Sequence, residues 1–372
     1  MIEKGKINAR QFSILTLLFS LGSAILIVPS ALTAAAMQDG WISAIVGVAA
    51  GIPLLAFYNA LGSRHPDLTL IEYTERLLGK WVGKIVGLLF FSFFLLLSAL
   101  VLRNVGDFIT TIVMPETPIE SVHFILLIAI AMGVGLGLEV IARSAEIFLP
   151  WVLMLLFFLI VFLFPQIEMD RIQPVFESGV KTIVRGSLSV ISIPYLELVV
   201  FLMIYPYVGK PDRRGAAMIK GALIGGTVLV LITMLCVFVL GWDFTSRHTF
   251  PSYTLAKKIQ VGEFLQRIEV LVAIIWFLTI FFKLVLCFYA SLLGLAQLLK
   301  MNSYRPLIVP CAMIVLMVSI VVYPNIVYFR IFASEIWPFY ALTTGFLLPL
   351  LVWAASLISS TGDTASKSRP PA

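Results

Sequence analysis

Residues 186–209 read GSLSVISIPYLELVVFLMIYPYVG, and Glu197, near the centre, is the only charge in them. An apolar run of this length predicts a membrane-spanning helix, which needs about 20 residues to cross. A carboxylate at that depth is costly, and by default it marks a binding site or an ion path. Pro194 stands three positions earlier, in Ser192-Ile193-Pro194-Tyr195-Leu196-Glu197. Proline removes a backbone donor and interrupts the helix where the charge lies. Secondary transporters build mid-membrane substrate sites from such discontinuous helices.

The rest of the chain fits a membrane bundle. It is 60% hydrophobic and 12% charged over 372 residues, against roughly a quarter charged in an ordinary soluble domain. The net charge of +6 is no nucleic-acid signal, because the basic residues lie between apolar spans. Cys236, Cys287 and Cys311 sit inside apolar spans at no metal or redox spacing. His65, His123 and His248 are too scattered to suggest a metal site, and no cofactor motif is present. The first apolar run is too long for a signal-peptide core and is expected to stay as a helix.

An all-α fold of ten transmembrane helices is expected, near residues 9–35, 41–62, 84–112, 121–139, 147–165, 184–207, 216–241, 265–294, 305–323 and 336–358. These make one membrane domain over 1–358, with a disordered cytoplasmic tail over 359–372. With the N-terminus inside, the inner segments carry about twice as many Lys and Arg as the outer ones. The positive-inside rule therefore puts both termini in the cytoplasm. Residues 69–78 are expected to form a short interfacial helix, with Thr69 and Glu72 as its capping box. Residues 166–183 and 243–264 form longer outer loops that could lid a site.

Five helices over about 9–165 and five over about 184–358 would be related as an inverted 5+5 repeat, since an odd number flips the topology. Gly22-Ser23-Ala24 lies about 20 Å into the first helix at 1.5 Å per residue, at a depth matching Pro194. This triplet serves either close helix packing or unwinding, and the match with the second half favours unwinding. An unwound segment frees N–H and C=O groups that lipid cannot satisfy. A zwitterionic amino acid can satisfy them, its carboxylate at a half-helix N-terminus and its ammonium at a half-helix C-terminus. Ser192, Pro194, Tyr195 and Glu197 would complete the site. Glu197 either holds that ammonium, carries a proton, or caps the break structurally.

Lys283 is the second buried charge, in Phe281-Phe282-Lys283-Leu284. It either snorkels to the inner interface or stands as a fixed cation beside the first helix, where related folds hold sodium. Arg103 and Asp107, four apart at an outer helix end, read as a rim ion pair or a gate above the site. Gly133 and Gly137 read as a GxxxG packing face.

Over residues 5–357 the chain resembles the B subunits of the Ger-type nutrient receptors of bacterial spores, a branch of the amino acid–polyamine–organocation superfamily. The likeness rests on Lys6-Ile7-Asn8-Ala9-Arg10-Gln11, Gly22-Ser23-Ala24, and Glu72-Tyr73 ahead of Gly79-Lys80. It rests also on Gly137-Leu138-Glu139-Val140-Ile141-Ala142-Arg143, Pro174-Val175 followed by Gly179, and Pro194-Tyr195-Leu196-Glu197 ahead of Tyr205-Pro206. The resemblance implies the LeuT-like fold of amino acid permeases, a nutrient that is usually an amino acid, A- and C-type partner subunits, and the spore inner membrane. Many members have a glycine where this chain has Leu196. The alternative reading is a proton-coupled amino acid transporter working through Glu197. An enzyme is the poorest reading, because HExxH, GxSxG and an intramembrane Asp pair are all missing from the sequence.

Overall fold

A computed structural model describes residue 3 and residues 5–258 and 269–367. Lys4, Arg267, Arg369 and the part of the second outer loop after Lys258 lie outside them. Among the described residues the regular structure is all helical, apart from one isolated parallel bridge between Ile7 and Val208. Eight stretches among the described residues are long and apolar enough to cross a membrane, and Ala9–Leu21 and Arg305–Val321 are shorter apolar helices.

The first span is two helices, α1 (Ala9–Leu21) and α2 (Ala24–Ala36), joined at Gly22-Ser23. Asn8 and Gln11 cap α1 reciprocally, so the chain enters the bundle with its first free N–H groups met. Helix α3 (Gly40–Arg64) returns, and the short α4 (Leu70–Leu78) carries the expected Thr69–Glu72 capping box. Helix α4 is no freely exposed surface helix, because Leu70, Ile71, Tyr73 and Thr74 are buried in the bundle. Helix α5 (Lys80–Phe108) follows, then α6 (Ile119–Leu136) and α7 (Leu138–Leu163).

The second half begins with α8 (Gly179–Val190), continues through irregular turns to α9 (Phe201–Ile204), and returns along α10 (Arg214–Leu235). Two short helices, α11 (Trp242–Arg247) and α12 (Pro251–Lys257), lie ahead of α13 (Glu269–Leu298). The chain closes with α14 (Ile308–Val321), α15 (Ile326–Ile331), α16 (Trp337–Leu342) and α17 (Leu348–Lys367). The backbone of α17 stays helical past Ser359, where a disordered tail is expected from the sequence; residues 368–372 lie outside the described range.

Three segments form the centre. Residues 14–30, 192–208 and 282–294 are buried without interruption. Lipid-facing side chains such as Ile125, Met132, Phe157, Met317 and Val321 belong instead to α6, α7 and α14. The two broken helices are thus enclosed by protein, which is where irregular backbone is tolerated at membrane depth.

Two sequence expectations need correction here. Residues 140–146 are not a loop, because α7 starts at Leu138, directly after α6. Gly137 supplies the turn between them with φ +94, a backbone conformation that side chains rarely adopt. Gly133 and Gly137 therefore do not share a helical packing face.

The loop ahead of α8 and the described part of the loop ahead of α13 are tied down. Asp39, fully buried, accepts from the Phe176 and Ser178 N–H groups at 2.8 and 3.2 Å and from the Ser178 hydroxyl at 2.7 Å. It so fastens the first loop just ahead of α8. In the second loop, the Ser252 hydroxyl of α12 donates to Ile25 O at 2.7 Å. Pro29, four residues on in α2, has no N–H to offer that carbonyl. Ser252 fills the gap that the proline leaves.

Candidate mid-membrane binding site

The unwinding expected at Gly22-Ser23 is present. Gly22 has φ −11 and ψ −100, outside the helical region, and only its N–H, bonded to Leu18 O at 3.0 Å, continues the pattern of α1. The last carbonyls of α1 and the first N–H groups of α2 consequently face the interior without helical partners. The second break is longer. Residues Ile191–Tyr195 form one wide turn, with Leu196 N–H bonded to Ile191 O, and Leu196–Val200 then tighten into a 3-10 stretch. Pro194 forces this, because its ring cannot donate to Val190 O.

Leu196 keeps a right-handed conformation, with φ −66 and ψ −32, so the backbone here needs no glycine. Room for Leu196 comes from Gly345, where a Cβ would come within 2.7 Å of Leu196 O and 3.0 Å of its Cβ. The Tyr58 hydroxyl faces both backbones, 3.1 Å from Leu196 O and 2.6 Å from Gly345 O.

Glu197 and Lys283 meet between the breaks. Lys283 Nζ lies 2.6 Å from Glu197 Oε2, with side-chain exposures of 0% and 3%. The same ammonium donates to Ser23 Oγ at 2.6 Å and sits 5.2 Å from the centre of the Phe19 ring. Lys283 does not snorkel: its stem runs past Gly22 into the protein, and a Cβ on Gly22 would stand 2.6 Å from Lys283 Cδ. Trp337 of α16 donates its indole N–H to Glu197 Oε1 at 3.0 Å and stacks on Phe93 of α5. Each carboxylate oxygen therefore has a partner, and the pairing offsets much of the cost of burying either charge.

A cavity of about 30 Å³ adjoins this group. Ser23, Asn104, Glu197 and Trp337 give it polar edges, and Ile27, Leu97, Ile193, Phe329 and Phe332 form much of its apolar wall. That volume accommodates a water molecule and is too small for an amino acid.

The remaining candidates divide. Ser23 and Glu197 line the cavity, whereas Gly22 serves the approach of Lys283. Ala24 is buried in the first turn of α2. Ser192 donates back to Ser189 O at 3.3 Å. Tyr195 turns away, against Gly51 and Gly226, and its hydroxyl donates to Ala222 O at 3.3 Å.

Arg103 and Asp107 pair at 2.9 Å as expected, but with side-chain exposures of 9% and 8% they form no solvated rim. Arg103 also donates to Ser319 O and Ile320 O, at 3.2 and 2.8 Å. The Tyr323 hydroxyl donates to Asp107 at 2.7 Å, and its ring lies under the guanidinium at 4.7 Å. Asn104, between the paired residues, reaches the cavity. Tyr58, Asp39, Ser252, Tyr323 and Trp337 gave no sequence signal, because each acts on a partner far along the chain. Among the described residues no cluster of side chains suits a metal ion.

The family model described as "Spore germination protein" matches residues 6–327. Spore germination protein KB of Bacillus subtilis (strain 168) is 29% identical over 328 residues, covering 87% of each chain. Putative spore germination protein YfkT of the same organism is 26% identical, covering 94% of this chain and 95% of its own. Among solved structures, MhsT in complex with L-phenylalanine aligns with a TM-score of 0.66 at 16% identity, covering 95% of this chain and 99% of that one. Mhp1, a nucleobase-cation-symport-1 family transporter in a closed conformation, aligns with a TM-score of 0.64 at 12% identity, over 93% of this chain and 78% of its own. These likenesses show a LeuT-type fold. A multi-pass membrane protein with interrupted central helices, matched over most of its length by spore germination proteins, this chain belongs to the spore germination protein family, among the Ger-type B subunits.

Proposed function

We propose that this chain is the nutrient-binding membrane subunit of a spore germinant receptor and that its ligand is an amino acid held between the two helix breaks. The observation that carries the reading is the cavity beside the paired breaks, edged by Ser23, Asn104, Glu197 and Trp337. The half-helix ends at Leu21 and Ala24 offer carbonyls to an ammonium and N–H groups to a carboxylate. Because Lys283 and Trp337 already meet both oxygens of Glu197, this carboxylate works first by holding the two breaks and α13 in register. A nutrient must widen the cavity, and it does so only by binding the wider state more tightly. That differential affinity is the signal.

A- and C-type partner subunits would read the change. The Lys and Arg bias favours cytoplasmic termini, and the family favours the spore inner membrane. MhsT, whose fold this chain shares, is described with L-phenylalanine bound, which suits an amino-acid-sized ligand here. The second reading, a proton-coupled amino acid transporter, is favoured by the buried Glu197–Lys283 pair, since a transport cycle needs a coupling group.

Amino acid counterflow into proteoliposomes holding the purified chain separates the two, with Glu197→Gln as control. Binding without counterflow, in vesicles supplied with the partner subunits, supports the receptor. Counterflow by wild type and not by the variant supports the transporter. Absence of both binding and counterflow for every amino acid would remove the nutrient site.

A further inference from the structure

A second concave site lies at the end of the bundle where α1 begins and α9 ends. It is a cleft of about 580 Å³. Five cations line it: Lys6, Arg10, Arg143, Lys210 and Arg213. Glu139 is the acid in the same lining, and it is engaged by Arg143. Arg10 has a partner only at 3.8 Å, in Glu146, which also accepts from Gln11 at 2.9 Å. Lys6, Lys210 and Arg213 have no carboxylate within ion-pair distance among the described residues. Lys210 is held besides in a left-handed conformation, φ 54, which costs free energy for a residue with a side chain.

The position of these charges matters more than their number. Ile7 N–H donates to Tyr207 O at 2.9 Å, and Gly209 N–H donates to Ile7 O at 2.8 Å. Those two bonds tie the entry of the first broken helix to the exit of the second. The tie brings Lys6 and Arg10 from one side toward Lys210 and Arg213 from the other. Like charges approaching across a closing contact oppose closure, and an anion seated between them offsets that repulsion.

We infer that this cleft binds a phosphate-bearing anion, foremost the headgroup of an anionic phospholipid, and that the bound anion holds the Ile7–Val208 tie closed. Basic pockets at the cytoplasmic ends of membrane helices take such headgroups, and the Lys and Arg bias assigns this end to the inner leaflet. The inference is independent of the nutrient site, since its ligand and its surface are different.

The test uses the full chain in vesicles of phosphatidylcholine, with and without phosphatidylglycerol, and in phosphatidylcholine with inorganic phosphate. The readouts are bound phosphatidylglycerol by native mass spectrometry and amide exchange of peptides covering residues 6–12 and 205–213. Phosphatidylglycerol should slow exchange in both peptides, and the triple variant K6Q/K210Q/R213Q should lose about tenfold in lipid affinity. The control triple R76Q/K80Q/K84Q, on another inner segment, should bind as wild type does. Slowing by inorganic phosphate in neutral vesicles would support the site with a soluble anion as its source, and slowing by the lipid alone would assign it to the membrane. Equal loss in both triple variants, or exchange indifferent to either anion, overturns the proposal.

Discussion

Lys283 of α13 and Glu197 of the second helix break make a buried ion pair, with Nζ 2.6 Å from Oε2. Ser23 receives the same ammonium and Trp337 serves the other carboxylate oxygen. Four segments of the chain therefore depend on one charge pair. In a low-dielectric interior the pair gains little over an apolar replacement, but either member alone is costly.

The first prediction follows from that asymmetry. Glu197→Gln and Lys283→Met each leave one buried charge without a partner, at a cost of about 3–5 kcal/mol. The double variant Glu197→Gln/Lys283→Met removes both charges and should recover most of the loss. Thermal unfolding of the detergent-solubilised proteins checks this; strictly additive losses would show that the two residues act separately.

Gly22 is predicted to tolerate no side chain. A methyl group there meets Lys283 Cδ at 2.6 Å and Lys283 Cβ at 2.9 Å, contacts that force neighbours to move at a cost of about 1–3 kcal/mol. Gly22→Ala should lower stability by that amount and shift the nutrient dose–response, and Gly22→Leu should abolish the response. A Gly22→Leu protein with unaltered dose–response would remove this break from the site.

Ser252→Ala should loosen the short helix α12. It strips the hydroxyl from Ile25 O, a carbonyl already deprived of its helical donor by Pro29, at a cost of about 1–3 kcal/mol for an unmet buried acceptor. Hydrogen exchange should quicken in residues 251–257 while the amides of α13 stay protected. Unchanged exchange in α12 would mean the latch is not holding it.

Tyr323→Phe removes one hydrogen bond from the buried Arg103–Asp107 pair, worth about 1.5–3 kcal/mol for a bond to a charged group. Because Asn104 sits between the pair and edges the cavity, the variant should also raise the nutrient concentration for half-maximal response. A full stability loss with no change in that concentration would confine the network to a structural role.

Several of these features were legible in the residues. Glu197 with Pro194, and Gly22-Ser23 at a matching depth, announce two breaks, because proline and glycine act on their own backbone wherever they stand. The Thr69–Glu72 box announces α4 for the same local reason. The Gly133 and Gly137 pair misled, since the spacing of two glycines does not reveal that a positive-φ turn separates them from a common face.

Hydropathy, chain breaks and caps are properties of neighbouring residues, and from them the sequence by itself determined a helical membrane protein with two central interruptions. Which way Lys283 points was decided only by the tertiary structure. Successive residues turn about 100° around a helix axis, so the rotation and tilt of α13 set whether its ammonium meets lipid, the inner interface or Glu197. Packing fixed that rotation, through a missing side chain at Gly22 and carbonyls and hydroxyls brought in from helices far away in the chain.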